Sequence, residues 1–456
     1  MTRLLVLDVV GLTPKLLRHM PNLRAVAERG FSAPLEPVLP AVTCSVQATF
    51  LTGATPAEHG IVGNGWYFRD LGEVLLWRQS NALVGGEKVW DAAREQINSD
   101  YTVANVCWWY AMGADVNWTV TPRPIYYSDG RKEPDCYTVP PSLHDELYAK
   151  LGPFPLFTYW GPTAGIASSK WIINAARWIF RKKSPDLTLV YVPHLDYDLQ
   201  RFGPDSLAAI RAAADVDQAL RPLLEEATAD GATIVALSEY GITRASKPID
   251  INRVLRHAGY LSVHTQDGME YLDPHTSRAF AVADHQIAHV YVRDPADIEK
   301  VRELLGGLDG IDQLLDEDGK KGAGLDHPRS GELVAVAEPD AWFTYYYWLD
   351  DADAPDYARA VEIHRKPGYD PAELFFDPDD PLVKLKAGAA LARKKLGARY
   401  RMNVIPLDPS PVSGSHGRMP DDPQDGPMLL CSDASVAEDT IAATDVKPLL
   451  LKLAAE

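Results

Sequence analysis

Cysteine is scarce: the chain has four in 456 residues, Cys44, Cys107, Cys136 and Cys431, with no CxxC pair among them. That excludes a disulfide-stapled scaffold and a zinc ribbon, and it points to a reducing, cytoplasmic setting. Long hydrophobic runs are missing as well. The first apolar stretch, "LLVLDVV" at 4–10, is interrupted by Asp8 and is too short for a membrane span or a signal segment, so it reads as a buried strand and no membrane partner is expected. Cations are outnumbered, with 45 Lys and Arg against 63 Asp and Glu and a net charge of −18. This balance disfavours a nucleic acid polymer or an anionic lipid surface as partner. A small anionic ligand would need local positive charge, for which bound metal is the economical source.

The rest of the composition is that of an ordinary folded protein, 46% apolar and 24% charged. The length suits one large domain with insertions or two closely packed domains. β-Branched or Leu-rich runs recur at 4–10, 101–110, 186–196, 232–241 and 332–339, as expected for strands buried on both faces of a parallel sheet. Helical patterns lie between them at 21–30, 87–96 and 205–231. The alternation predicts an α/β fold with helices on both faces of the sheet. Residues 260–294 contain a candidate antiparallel pair ending in "AFAVADHQIAHVYV". Segments 111–165 and 340–412, irregular and rich in Pro and aromatics, are expected to be inserted cap or lid regions. Within the second, "WFTYYYW" (342–348) reads as a packed aromatic strand.

The stretch "LPAVTCSVQATFLTG" (39–53) poses a choice. Thr43 suits the cap of a short helix over 44–52 that ends at Gly53, yet a hydroxyl at a helix N-terminus is also placed to meet a phosphate. Three acids end apolar runs: Asp8, Asp196 and Glu239. At the carboxyl edge of a doubly wound sheet they would repel one another unless a cation lay between them. His416 sits between glycines in "GSHG", where the backbone can approach a metal or phosphate closely. On an extended strand, His194 and Asp198 would share a face with Asp196. His285 and His364 are further candidate ligands or substrate contacts, whereas His289 suits a hydrogen-bonded strand position. Cys44 is a weak rival nucleophile, since no basic neighbour lowers its pKa.

Together, Asp8, "PAVTCSVQATFLTGATPAEHGIVGN" (40–64), Asp196 in "YVPHLDYDLQRFGP" (191–204), "SEYG" (238–241) and "GSHG" (414–417) resemble the nucleotide pyrophosphatase/phosphodiesterase branch of the alkaline phosphatase superfamily. The resemblance covers most of the chain. It implies a single alkaline-phosphatase-like α/β domain over 1–456 and a two-metal phosphoryl-transfer site. By that match Thr43 is the nucleophile and ligates one divalent ion with Asp8, Glu239 and Tyr240. Asp196 and His416 hold the second, with Gln200 at the remaining ligand position. Asn64 donates to the phosphoryl oxygen, and His59 is structural. Three positions depart from the family pattern: Glu239-Tyr240 replaces Asp-His, and Gln200 replaces His. Losing two imidazoles makes the donor set oxygen-rich, which weakens zinc and favours Mn²⁺ or Mg²⁺. The implied function is metal-dependent hydrolysis of phosphodiester or pyrophosphate bonds in nucleotide or nucleotide-sugar-like substrates. The alternatives are a phosphomonoesterase or phosphonate hydrolase of the same superfamily, and a non-hydrolytic binding or scaffold descendant with decayed metal sites.

Overall fold

The structure, a computed structural model, describes residues 2–128, 132–395 and 402–456. Residues 129–131 and 396–401 of the two expected insertions lie outside the described residues. The core is a nine-stranded sheet. Its order is Ile441–Ala442, Phe31–Glu36, Met428–Cys431, Thr233–Leu237, Leu4–Val9, Leu187–Val192, Val103–Val106, Trp118–Pro122 and Cys136–Val139. The five strands from Thr233–Leu237 to Trp118–Pro122 are parallel, with Asp8 level with Tyr191 on one side and Leu237 on the other. Met428–Cys431 and Cys136–Val139 run antiparallel to their neighbours. The strands Leu4–Val9, Leu187–Val192 and Thr233–Leu237 are buried along their whole length because helices cover both faces, which is why their sequences show no polar alternation.

The helices follow their apolar spacing. Leu207–Ala229 starts at Ser206, whose hydroxyl accepts from Ala209 N–H, and it buries Ala209, Ala213, Val216, Leu220, Leu223, Leu224 and Ala227 along one stripe. Each of its buried leucines contributes about 2 kcal/mol of transfer free energy. Pro21–Arg29 and Val89–Gln96 form as the pattern predicts.

Two expectations need correction. The run 332–339 forms the strand Leu333–Ala337, but in a separate four-stranded antiparallel sheet with Ala279–Asp284, Ile287–Val292 and Ile311–Leu315. It is buried on both faces there too, so hydrophobicity alone did not distinguish the sheets. The run 186–196 leaves the sheet at Val192, and a helix begins at His194. At about 100° per residue, His194, Asp196 and Asp198 therefore do not share a face, whereas Asp196 and Gln200, four apart, do.

The candidate antiparallel pair is present, joined by a two-residue turn in which His285 takes a positive φ of 62°. Of the two expected insertions, 111–165 supplies the last two strands of the central sheet, Trp118–Pro122 and, at its edge, Cys136–Val139. "WFTYYYW" is fully buried, with a short strand at Ala341–Phe343. Among the described residues no helix is long and apolar enough to cross a membrane.

Candidate functional site

The carboxyl ends of the central strands bring together Asp8, Thr43, Asp196, Gln200, Glu239, Tyr240 and, from a distant loop, His416. The helix Thr43–Thr52 has Val42 as its N-cap, so Thr43 is the first helical residue rather than the cap that its type suggests. Gly53 ends the helix in the left-handed conformation, φ 67°, as expected. Thr43 Oγ1 lies 3.1 Å from Tyr240 Oη, and Tyr240 Oη donates to Asp196 Oδ1 at 3.4 Å. With the phenol proton committed to Asp196, Thr43 must donate to the phenol oxygen, so the chain of bonds draws the Thr43 proton toward a carboxylate.

His416 is held by its loop. Its Nδ1 donates to Ala41 O at 2.9 Å, Gln286 N–H donates to the His416 carbonyl at 2.9 Å, and Gly417, at φ 122°, accepts from Ala41 N–H. A Cβ on Gly414 would stand 2.4 Å from Leu199 O, so the preceding glycine permits the close backbone approach. With Nδ1 protonated, His416 Nε2 keeps a free lone pair, buried without a partner and 3.9 Å from Asp196 Oδ1. Burial pushes its pKa well below the ordinary value, so the ring is neutral and this approach is no ion pair. Tyr240 stacks on His416 with centroids 3.5 Å apart and planes 5° apart. His285 follows at 3.8 Å from His416, and Tyr369 at 3.6 Å from His285, completing a column of four rings.

Sequence reasoning missed four members of this site. Gln47 Nε2 donates to Asp8 Oδ2 at 2.7 Å and to Glu239 Oε1 at 3.2 Å, while its Oε1 accepts from Trp109 N–H at 2.8 Å. Its spacing, one turn after Thr43 on the same helix face, was the available signal. Asp284 accepts from Asn64 N–H at 2.7 Å and Asn64 Nδ2 at 3.0 Å, and it bonds His285 Nδ1 at 2.8 Å. Tyr369 donates to Gln200 Oε1 at 2.8 Å. The Trp109 N–H comes from a segment in which Cys107 and Tyr110 both take positive φ, 70° and 57°, and nothing in its sequence announces that conformation.

Asn64 also accepts from Cys44 N–H at 3.0 Å, which ties the turn to the start of the Thr43 helix. His285 reaches the site, but His194 lies toward Asp198, Asp215 and Lys170. His364 lies against the Leu76 backbone near Glu362 and Arg78. Neither shares a hydrogen bond with the Thr43 cluster. His289 is a structural strand histidine, donating to Val62 O and accepting from Gly331 N–H. Cys44 is fully buried and its thiol is pushed well above its ordinary pKa by desolvation, the opposite of an activated nucleophile.

The acids are far from their solution behaviour. Burial raises Asp8 and Asp196 to about 7 and Asp284 to about 6, and it drives Glu239 well above the carboxylate range, with Asp8 opposing its ionisation further. Asp8 Oδ2 and Glu239 Oε1 share the Gln47 amide, while Asp8 Oδ1 and Glu239 Oε2 are buried without a hydrogen-bond partner. Among the described residues no Lys or Arg bonds any of these four carboxyls.

The two cation positions that the resemblance implies fare differently. At the first, the Gln47 amide stands between Asp8 and Glu239, and the Trp109 N–H, which can only donate, fixes the amide so that its NH₂ faces the carboxyls. The NH₂ thus takes the place between Asp8 Oδ2 and Glu239 Oε1 that a shared cation would need, and an amide NH₂ cannot ligate one. At the second, Asp196 and the free lone pair of His416 do fit one, since a backbone bond at Nδ1 is how a metal-binding imidazole is ordinarily oriented. Gln200 Oε1 accepts one hydrogen bond, from Tyr369, and keeps its second lone pair.

Residues 4–370 match the model of the type I phosphodiesterase/nucleotide pyrophosphatase family, and the chain belongs to that family of phosphoester hydrolases. Among solved structures it is similar to phosphonoacetate hydrolase from Sinorhizobium meliloti in complex with phosphonoformate, with a TM-score of 0.65, 16% identity, and coverage of 100% of this chain and 96% of that one. It is also similar to murine ectonucleotide pyrophosphatase/phosphodiesterase 5, an inactive form in complex with AMP, with a TM-score of 0.59, 14% identity, and coverage of 100% and 95%. The human form of that protein aligns at a TM-score of 0.58 and 14% identity, with coverage of 100% and 95%. No curated protein matches the chain.

Proposed function

We propose that this protein hydrolyses a small phosphate or phosphonate ester with Thr43 as the nucleophile and one divalent cation held by Asp196 and His416. The observation that carries the proposal is the bonded line Thr43 Oγ1, Tyr240 Oη, Asp196 Oδ1, at 3.1 and 3.4 Å, at the N-terminus of a buried helix. The helix terminus favours an anion, but half a charge cannot offset four acids, so a phosphoryl group needs a cation here. When bound, the cation supplies that charge, and Mn²⁺ or Mg²⁺ suits the donors better than zinc. Tyr240 orients the Thr43 hydroxyl, whose oxygen attacks phosphorus as its proton passes toward Asp196 and the ester's alcohol departs with the broken P–O bond; water then hydrolyses the resulting phosphothreonine, restoring Thr43 and releasing phosphate or phosphonate. Asn64, pinned by Asp284 and Cys44 N–H, keeps one amide hydrogen for a phosphoryl oxygen. The insertions 111–165 and 340–412 read the leaving group; the second supplies Tyr369 at the end of the ring column.

The test is turnover of bis(p-nitrophenyl) phosphate, p-nitrophenyl phosphate and p-nitrophenyl phenylphosphonate with Mn²⁺, Mg²⁺ or Zn²⁺. Thr43→Ala should lose activity by at least about 10³-fold at an unchanged melting temperature, because covalent catalysis then has no nucleophile. Retained turnover in that variant removes Thr43 from the role. The Gln47 amide between Asp8 and Glu239 favours a second reading, a binding protein that keeps the fold without the chemistry. It predicts no turnover of any ester, together with a melting temperature raised by a phosphorylated ligand.

A further inference from the structure

We infer that Gln47 is a built-in substitute for a cation: its amide joins Asp8 to Glu239 by hydrogen bonds and closes that position to metal. Three observations converge. The Nε2 atom serves both carboxyls at once, at 2.7 and 3.2 Å, in the space between them. The amide cannot turn over to offer its oxygen as a ligand, because Oε1 would leave the Trp109 N–H without an acceptor in a buried site. That N–H is delivered by backbone held in the left-handed region on either side, at Cys107 and Tyr110, a conformation that persists only where the surroundings enforce it. The Trp109 ring also packs against Trp77, centroids 4.9 Å apart and planes tilted by 41°, which holds the same segment.

Glu239 fits the same logic. A carboxyl one methylene longer than the family's Asp brings Oε1 within 3.2 Å of the Gln47 amide, so the pair is joined through that amide. Gln47 sits one helical turn from Thr43 and is 1% exposed, so it has no route to swing out into solvent. From the proposed function this inference takes only that Asp196 and His416 remain able to hold one cation. The expected capacity is therefore at most one ion per chain.

The test counts bound Mn²⁺ per chain by native mass spectrometry and elemental analysis of the full-length protein. Manganese is chosen because Asp135, Cys136 and His144 also bring ligand atoms within 4.8 Å of one another, and that thiol-containing group prefers zinc. The wild type should bind no more than one ion, Asp8→Asn should bind as many as the wild type, and Gln47→Ala should gain one. Asp8→Asn added to Gln47→Ala should lose the gained ion. Two ions in the wild type, falling to one in Asp8→Asn, would overturn the inference, as would a Gln47→Ala protein that melts normally and gains nothing. If Gln47→Ala does not fold, the comparison of wild type with Asp8→Asn decides alone. Zero ions in both would sink the cation of the proposed function while leaving the first position closed, as inferred.

Discussion

Lys366 offers a sharp test of how the segment around Tyr369 is held over the site. Its ammonium is 1% exposed and lies 2.7 Å from Asp370 Oδ2 and 2.7 Å from Glu373 Oε1, both carboxylates being equally buried. Burial works against the charge, but the two carboxylates outweigh it and raise the lysine pKa. Replacing Lys366 with Met keeps the stem and removes the charge, leaving two buried acids facing each other. Two charge-assisted bonds at about 1.5–3 kcal/mol each set an upper range of about 3–6 kcal/mol. The acids keep other donors, Trp160 Nε1 at 2.6 Å and Glu362 N–H at 2.9 Å on Glu373, and Ala372 N–H at 3.1 Å on Asp370. That places the expected loss near 4 kcal/mol, within the range of about 3–5 kcal/mol for breaking one side of a buried pair. Urea unfolding followed by tryptophan fluorescence measures it. Adding Glu373→Gln should recover at least about 1 kcal/mol, since one stranded charge disappears. A loss below about 1 kcal/mol for Lys366→Met, or no recovery in the double variant, would refute the reasoning.

Other outcomes follow from the same geometry. Tyr240→Phe should lower kcat by about 10–100-fold with little change in KM, because it breaks the line from Thr43 to Asp196 without removing a substrate contact; an equal loss in Thr43→Ala background activity would show that the effect is not through Thr43. Asp284→Ala removes the acceptor of two Asn64 bonds and one His285 bond and should cost about 3 kcal/mol of stability, read as a shift in the urea midpoint. His59 is buried neutral, accepting from Ile61 N–H at Nδ1 and bonding Thr49 at Nε2, and burial lowers its pKa from 6.5 to about 3. The unfolded chain takes up that proton first, so stability is intact above pH 6.5 and falls as pH drops toward 3, by on the order of 2 kcal/mol at pH 5. A His59→Gln protein should show a flatter profile between pH 6.5 and 4, and an unchanged slope would assign the acid sensitivity elsewhere. Cys44 should resist alkylation by iodoacetamide in the native protein and react only after unfolding, as peptide mass mapping would report.

What could be read from the chain alone was local. Apolar runs and helical stripes specify which segments are buried and in what form, because burial periodicity is written in consecutive residues. The central strands at 4–9, 187–192 and 233–237, the hairpin around His285 and the family motifs are all legible on that basis. Asp8, Asp196, Glu239 and His416 carry a local signal of their own, as acids at strand ends and a histidine between glycines, whereas Tyr240 is drawn in only by the family motif. Two things were not legible. Fully buried runs read alike in either sheet, so Leu333–Ala337 was assigned to the wrong one. The contacts that decide the site join residues far apart in the chain: Gln47 to Asp8 and Glu239, Trp109 N–H to Gln47, Tyr369 to Gln200 and His416 to Ala41. The sequence by itself determined the donors available; tertiary structure determined which donor faces which acid. The reason is that an amide, a phenol or an imidazole has no preferred partner until packing and backbone conformation fix its orientation, and in a buried site that orientation separates a cation's place from a hydrogen bond's.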